Sequence, residues 1–128
     1  MARRGVPDET ATAVLDRFAE VGLIDDAAFA AAWVGSRHHG KGLARRALAD
    51  ELRRRGVEED VAREALGAVT TDDEVAAAQR LVRRRLPALG GVSRPVATRR
   101  LLALLGRKGF GESLAYAVVR QALDERAG

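Results

Sequence analysis

A chain of 128 residues with 47% hydrophobic but only 4% aromatic residues must build its core from Ala, Leu and Val, which favours close-packed helices over strands. It has no cysteine, which excludes a disulfide framework and a thiolate zinc site, and no apolar run near the ~20 residues of a membrane span. Met1-Ala2-Arg3-Arg4 has charge but no apolar stretch behind it, so no signal peptide is read there. The net charge of +4 is a weak pointer to a polyanionic partner, and the dominance of Arg over Lys follows composition rather than a need for guanidinium chemistry.

Residues 7–22 are expected to form a helix, with Pro7 in its first turn, Asp8 and Glu9 at its positive end, Val14, Leu15 and Phe18 on one stripe, and Gly22 as its C-cap. Leu23-Ile24-Asp25-Asp26 links it to a helix over about 26–38 whose inner face holds Phe29, Ala30, Trp33 and Val34; Gly40-Lys41-Gly42 ends that helix. The next runs from about Leu43 to Arg55, with Ala44, Ala47, Leu48 and Leu52 inward and Arg46, Asp50 and Arg53 in water. Glu51 falls inside the apolar arc and is expected to be partly buried and paired with Arg55 one turn on. A short helix over 58–67 follows, closed by Gly67. A longer one opens at Thr71-Asp72-Asp73-Glu74 and turns Val75, Val82 and Leu86 inward. After a Gly- and Pro-rich loop over 87–95 come two last helices, about 96–108 and 112–126.

One phrase recurs: Arg3-Arg4-Gly5-Val6, Arg54-Arg55-Gly56-Val57 and Arg107-Lys108-Gly109-Phe110, with the glycines 51 and 53 residues apart. The alignment continues through Asp8, Glu59 and Glu112, through Ala11, Ala62 and Ala115, and upstream through Leu48 and Leu52 with Leu101 and Leu105. A period near 50 residues marks a repeated supersecondary unit. The expected fold is therefore all-α, built of tandem three-helix repeats of helix-turn-helix character, elongated and curved. Residues 1–22 are the third helix of a first repeat, 23–67 a second repeat and 68–128 a third. The first repeat reads as cut short, with about one further helix pair expected upstream. The glycine of each phrase is expected to cap a helix, not to bind phosphate.

Charge alternates with the repeat. Residues 37–57 are net +5, 58–79 are net −6, and 80–111 carry nine basic groups and no acid. Pairs such as Asp50 with Arg46 and Arg53 account for the middle helix as a solvated face. They do not account for residues 80–111, where a self-repelling block points to an anionic surface on a partner, either nucleic acid or an acidic protein groove. Few aromatics are available to stack bases.

Catalysis finds no support. There is no nucleophilic Cys and no phosphate-cradling glycine loop, and no cofactor is implied. His38 and His39 point about 100° apart on a helix and read as solvated residues at its end, not as metal ligands. Asp25-Asp26 and Asp72-Asp73 each precede a helix and read as caps. Trp33 and Phe29 read as core. No catalytic residue and no metal ligand is therefore assigned.

The series Leu23-Ile24-Asp25-Asp26-x-x-Phe29-Ala30, Ser36-Arg37 and Arg46-Ala47-Leu48-x-x-Glu51-Leu52-x-x-Arg55-Gly56-Val57 resembles the RecX regulatory proteins. The ending Arg100-Leu101-Leu102-x-x-Leu105-x-Arg107-Lys108-Gly109-Phe110 is similar to that family's last repeat, and the likeness runs from Arg3 to about Arg126. The segment from His38 to Arg45 departs from the Gly-x-x-Arg-Ile pattern of many relatives and is longer. The resemblance implies a cytoplasmic, non-catalytic regulator. Such a protein binds RecA, chiefly as its filament on single-stranded DNA. It lowers RecA's ATPase, strand-exchange and co-protease activities and so restrains recombination, DNA repair and the SOS response. The alternative is a helical DNA-binding module acting without RecA, and weak direct DNA binding is compatible with either. No membrane partner is implied. The partner-binding candidates are Arg46 and Arg53 on the middle helix, with Arg84, Arg85, Arg99, Arg100, Arg107 and Lys108 in the basic block.

Overall fold

The computed structural model describes residues 26–127, and among them the backbone forms six α-helices, one 3-10 turn and no strand. The helices are α1 (Asp26–Lys41), α2 (Arg45–Arg54), α3 (Glu59–Leu66), α4 (Thr71–Arg85), α5 (Arg94–Arg107) and α6 (Glu112–Ala127); the 3-10 turn Leu86–Leu89 follows α4. The expected helix over 7–22, the first Arg-Arg-Gly-Val phrase and the link residues 23–25 lie outside the described residues. The all-α repeat architecture is as expected. Three boundaries move. α1 runs on to Lys41 because Gly40 stays helical and the left-handed residue is Gly42 (φ +68°). α2 begins two residues later than expected. α5 begins at Arg94, because the Ser93 hydroxyl accepts from the Val96 amide and Pro95 suits a first turn that needs no amide hydrogen.

The described residues divide into two compact units, the first made of residues 26–43 and 48–68, the second of 44–47 and 69–127. In the first unit Phe29, Ala30, Trp33 and Val34 from α1 bury with Leu48 and Leu52 from α2, Val57, and Ala62 from α3. Phe29 and Trp33 are ring neighbours, with centroids 5.7 Å apart. In the second unit Ala77, Ala78 and Val82 of α4, Ala97, Leu101 and Leu105 of α5, and Ala115, Val118, Val119 and Leu123 of α6 form one cluster with Ala44, Leu89 and Phe110. Leu48 and Leu52, and their repeat equivalents Leu101 and Leu105, are all fully buried. Val75 and Leu86 are only partly so.

The repeated glycines close α2 and α5 in the same way. Gly56 has φ +82° and Gly109 φ +93°. The Gly56 amide donates to the Arg53 carbonyl and the Val57 amide to that of Leu52; in the later repeat Gly109 donates to Gly106 and Phe110 to Leu105. This double bond pattern, with an apolar residue just past the glycine folded back onto the last turn, is the Schellman cap. α4 opens on a reciprocal capping box in which the Asp73 amide donates to the Thr70 hydroxyl and the Thr70 amide to the Asp73 carboxylate.

His38 departs from the solvated position expected of it. It is 4% exposed, and its Nδ1 donates to the Leu43 carbonyl at 2.8 Å, while His39 is exposed. The chain turns at Gly42, which brings the Leu43 carbonyl over the ring and gives that buried carbonyl a donor.

Candidate partner-binding surface

The first unit contains a partly buried polar cluster built around Glu51. Its Oε1 accepts from Trp33 Nε1 at 2.8 Å and from Arg37 Nε at 3.0 Å, and its Oε2 accepts from Arg37 Nη2 at 2.6 Å. Glu51 is partly buried, as expected, but its partner is Arg37 of α1 and not Arg55. The guanidinium of Arg37 offers a planar fork that matches both carboxylate oxygens, and Arg55 instead sets its guanidinium 4.5 Å over the Trp33 ring. Burial pushes the Glu51 carboxyl up, but hydrogen bonds from Arg37 and Trp33 and the charges of Arg37 and Arg54 hold it below the ordinary carboxylate range. Arg53 lies exposed on the same helix and pairs with Asp50 at 3.0 Å.

In the second unit Glu74 is buried, which no feature of the acidic stretch 72–74 announced. Its carboxylate accepts from the Arg45 backbone amide at 2.7 Å and from Arg45 Nη2 at 3.0 Å. A carboxylate at the first amide of α2 meets the positive end of that helix. The hydrogen bond that Arg45 donates to Glu74 raises the pKa of its guanidinium, against the opposing effect of burial.

Seven of the eight candidate residues belong to this second unit, and Arg53 belongs to the first. Arg84 and Arg85 stand in the last turn of α4, Arg99 and Arg100 in the middle of α5, and Arg107 and Lys108 at its end. Arg84, Arg85, Arg99, Arg100 and Arg107 are exposed, and among the described residues none of them forms a salt bridge. Arg46 is exposed as expected, but its Nη2 donates to the Phe110 carbonyl at 3.4 Å where a pair with Asp50 was expected. The basic block is not wholly unpaired, since Arg94 meets Asp124 of α6 at 2.7 Å.

A groove of about 1260 Å³ runs along α5 and α6. Leu102, Ala103 and Gly106 line it from α5, and Ser113, Tyr116, Ala117, Arg120, Gln121 and Asp124 from α6, with Arg46 and Phe110 at one end. Tyr116 and Arg120 have no place among the sequence-derived candidates. Their one signal was the spacing i, i+3, i+4, i+7 of Ser113, Tyr116, Ala117 and Arg120, small or polar residues on one stripe of the helix expected over 112–126. Among the described residues no group of three or more His, Cys, Asp or Glu could hold a metal ion, and no helix is long and apolar enough to cross a membrane.

Residues 25–66 match the family model described as RecX, second three-helix domain. The chain is 55% identical over 124 residues to the regulatory protein RecX of Thermobifida fusca, covering 97% of this chain and 67% of that protein. It is 53% identical over 125 residues to that of Streptomyces coelicolor, covering 98% and 66%, and 42% identical over 123 residues to that of Mycobacterium tuberculosis, covering 93% and 71%. The chain thus spans about two thirds of the length of these relatives, all named as regulatory proteins. In fold it is similar to the crystal structure of RecX from Lactobacillus salivarius, with a TM-score of 0.71 at 15% identity over 91% of this chain and 76% of that one. A second RecX crystal structure gives 0.69 at 22% identity, over 94% and 59%.

Proposed function

This chain belongs to the RecX family of regulatory proteins, and from that premise we propose that it binds the RecA recombinase, chiefly as its filament on single-stranded DNA, and inhibits it. The effect is to lower RecA's ATPase, strand-exchange and co-protease activities, and so to restrain recombination and the SOS response in the cytoplasm. The protein acts as a regulator and carries out no chemical step of its own.

The observation that carries this reading is the run of exposed arginines on α4 and α5. Arg84, Arg85, Arg99, Arg100 and Arg107 stand in water, and among the described residues none is neutralised by a salt bridge. Five such cations on one unit repel each other, and a partner surface that supplies negative charge relieves that repulsion. Helix surfaces also hold these side chains at fixed spacing, which suits contacts repeated along a filament, where several modest contacts multiply through tethering.

The test is RecA ATPase on single-stranded DNA with increasing amounts of this protein. Inhibition is expected at stoichiometric levels, and its absence at excess sinks the reading. The double variant Arg99→Glu, Arg100→Glu is expected to weaken filament binding by on the order of tenfold at unchanged helical circular dichroism; loss of the dichroism signal instead marks these arginines as structural.

The same arginines favour a second reading, in which the chain binds DNA without RecA. Titrating duplex and single-stranded DNA over a range of salt separates the two. Direct binding falls steeply with salt, whereas a filament-specific mode binds bare DNA weakly and gains strongly once RecA is present.

A further inference from the structure

We propose that the groove between α5 and α6 is a docking site for an acidic, amphipathic helix presented by a partner protein. The proposal assigns a site and the chemistry of its occupant, and stands whether or not that partner is the recombinase.

Small side chains contribute to the lining of the groove. Ala103 and Gly106 of α5 and Ala117 of α6 lie along it, and a Cβ built on Gly106 meets nothing within 4 Å. Small residues let a second backbone come close, and such a lining suits a helix laid along it. Tyr116 is 52% exposed and is the one large hydrophobic side chain that stands out among the described residues. Leu102 also lines the groove, and the two offer apolar surface for an anchor residue, in the manner of interface hot spots. The lining from Ser113 to Asp124 extends about 16 Å at the α-helical rise, room for about three turns of a partner helix.

Charge chooses the sign of the occupant. Arg46 and Arg120 line the groove, and Arg99, three residues before Leu102 and four before Ala103, continues the same stripe of α5. Of the two acids in the lining, Asp124 is paired with Arg94 at 2.7 Å, which leaves Glu112 against Arg46 and Arg120. An apolar stripe flanked by Asp or Glu complements this arrangement. A nucleic acid strand fits it less well. One tyrosine is a poor stacking track, and Glu112 repels phosphate.

The test uses the whole chain. A phage-displayed library of helical peptides of about 16 residues, long enough to fill the groove, is selected on it. Survivors are then measured by fluorescence anisotropy against the parent, Gly106→Leu and Arg120→Glu, with an oligo-dT strand as the nucleic acid probe. Gly106→Leu fills the open space and replaces a poor helix former with a good one, so its melting temperature is expected to stay level or rise. Survivors are expected to carry apolar residues at i, i+3 or i+4, and i+7 beside Asp or Glu. Their affinity is expected to fall at least about tenfold in each variant, as loss of a central contact does. Oligo-dT binding is expected to ignore Gly106→Leu. The proposal is overturned if no survivor distinguishes Gly106→Leu from the parent, if those that do are basic or uncharged, or if oligo-dT is the probe that Gly106→Leu displaces.

Discussion

Glu51 occupies the apolar arc of α2 because two neighbours from α1 satisfy both of its oxygens, Trp33 Nε1 and the Arg37 fork. Replacing one partner of such a cluster leaves buried donors without an acceptor of equal strength. Glu51→Gln keeps the shape and removes the charge, and is expected to cost about 2 kcal/mol at pH 7, read as a lower urea midpoint. The pH dependence has a definite sign. The carboxyl is held below its ordinary value of 4.5, so the stability it adds is complete above that value and is lost as pH falls through the lower folded one. The gap between parent and variant is therefore expected to be full at pH 7 and to close in acid below 4.5; a gap independent of pH shows that something other than the charge was lost. That Glu51 would be partly buried was legible from the helical wheel. That Arg37 would hold it was not, because the two residues meet only once α1 and α2 are packed. Glu74 teaches the same lesson more strongly: in sequence it is one acid among three, and its burial exists only because the first amide of α2 needs an acceptor there.

The two glycine-capped turns are alike in sequence and in hydrogen bonding, yet they stand in different surroundings. A Cβ on Gly56 meets nothing within 4 Å, whereas one on Gly109 falls 2.7 Å from the Ala47 Cβ and 2.8 Å from the Ala47 amide nitrogen. Both positions lie at positive φ, where any L side chain is strained by about 1–2 kcal/mol. Gly56→Ala is expected to cost about that much. Gly109→Ala adds a clash with backbone that cannot swing aside, and is expected to cost roughly 3 kcal/mol or more. Chemical denaturation of the two variants side by side checks this, and equal costs contradict it. The caps themselves were readable, since a glycine after a basic last turn is the expected stop. The close approach of Ala47 to Gly109 was not, because it joins residues 62 positions apart.

Across the molecule, the +4 net charge conceals a strong asymmetry, with nine basic groups and no acid over 80–111. Pairing reduces that block at Arg94, and the exposed remainder on α4 and α5 offers charge to a partner. Exposed charges act through solvent and are screened over a Debye length of roughly 10 Å or less above 0.1 M salt. The proposed binding to RecA filaments is therefore expected to weaken by on the order of tenfold between 0.1 and 0.5 M salt, measured by co-sedimentation; salt-independent binding moves the interface onto apolar contacts.

Helix content, repeat period and the inward leucines were determined locally. Helical spacing, capping residues and recurrence at about 50 positions depend only on neighbours along the chain, and so did the resemblance to RecX proteins. Tertiary packing alone decided that Glu51 meets Arg37, that Glu74 caps α2, that His38 is buried, and that residues 44–47 pack with 69–127. It alone also brought Tyr116, Arg120 and Arg46 to the lining of one groove. Apart from the His38 bond, which reaches only five residues along the chain, these join groups distant in sequence, and no periodicity along one chain encodes which faces of two helices will meet.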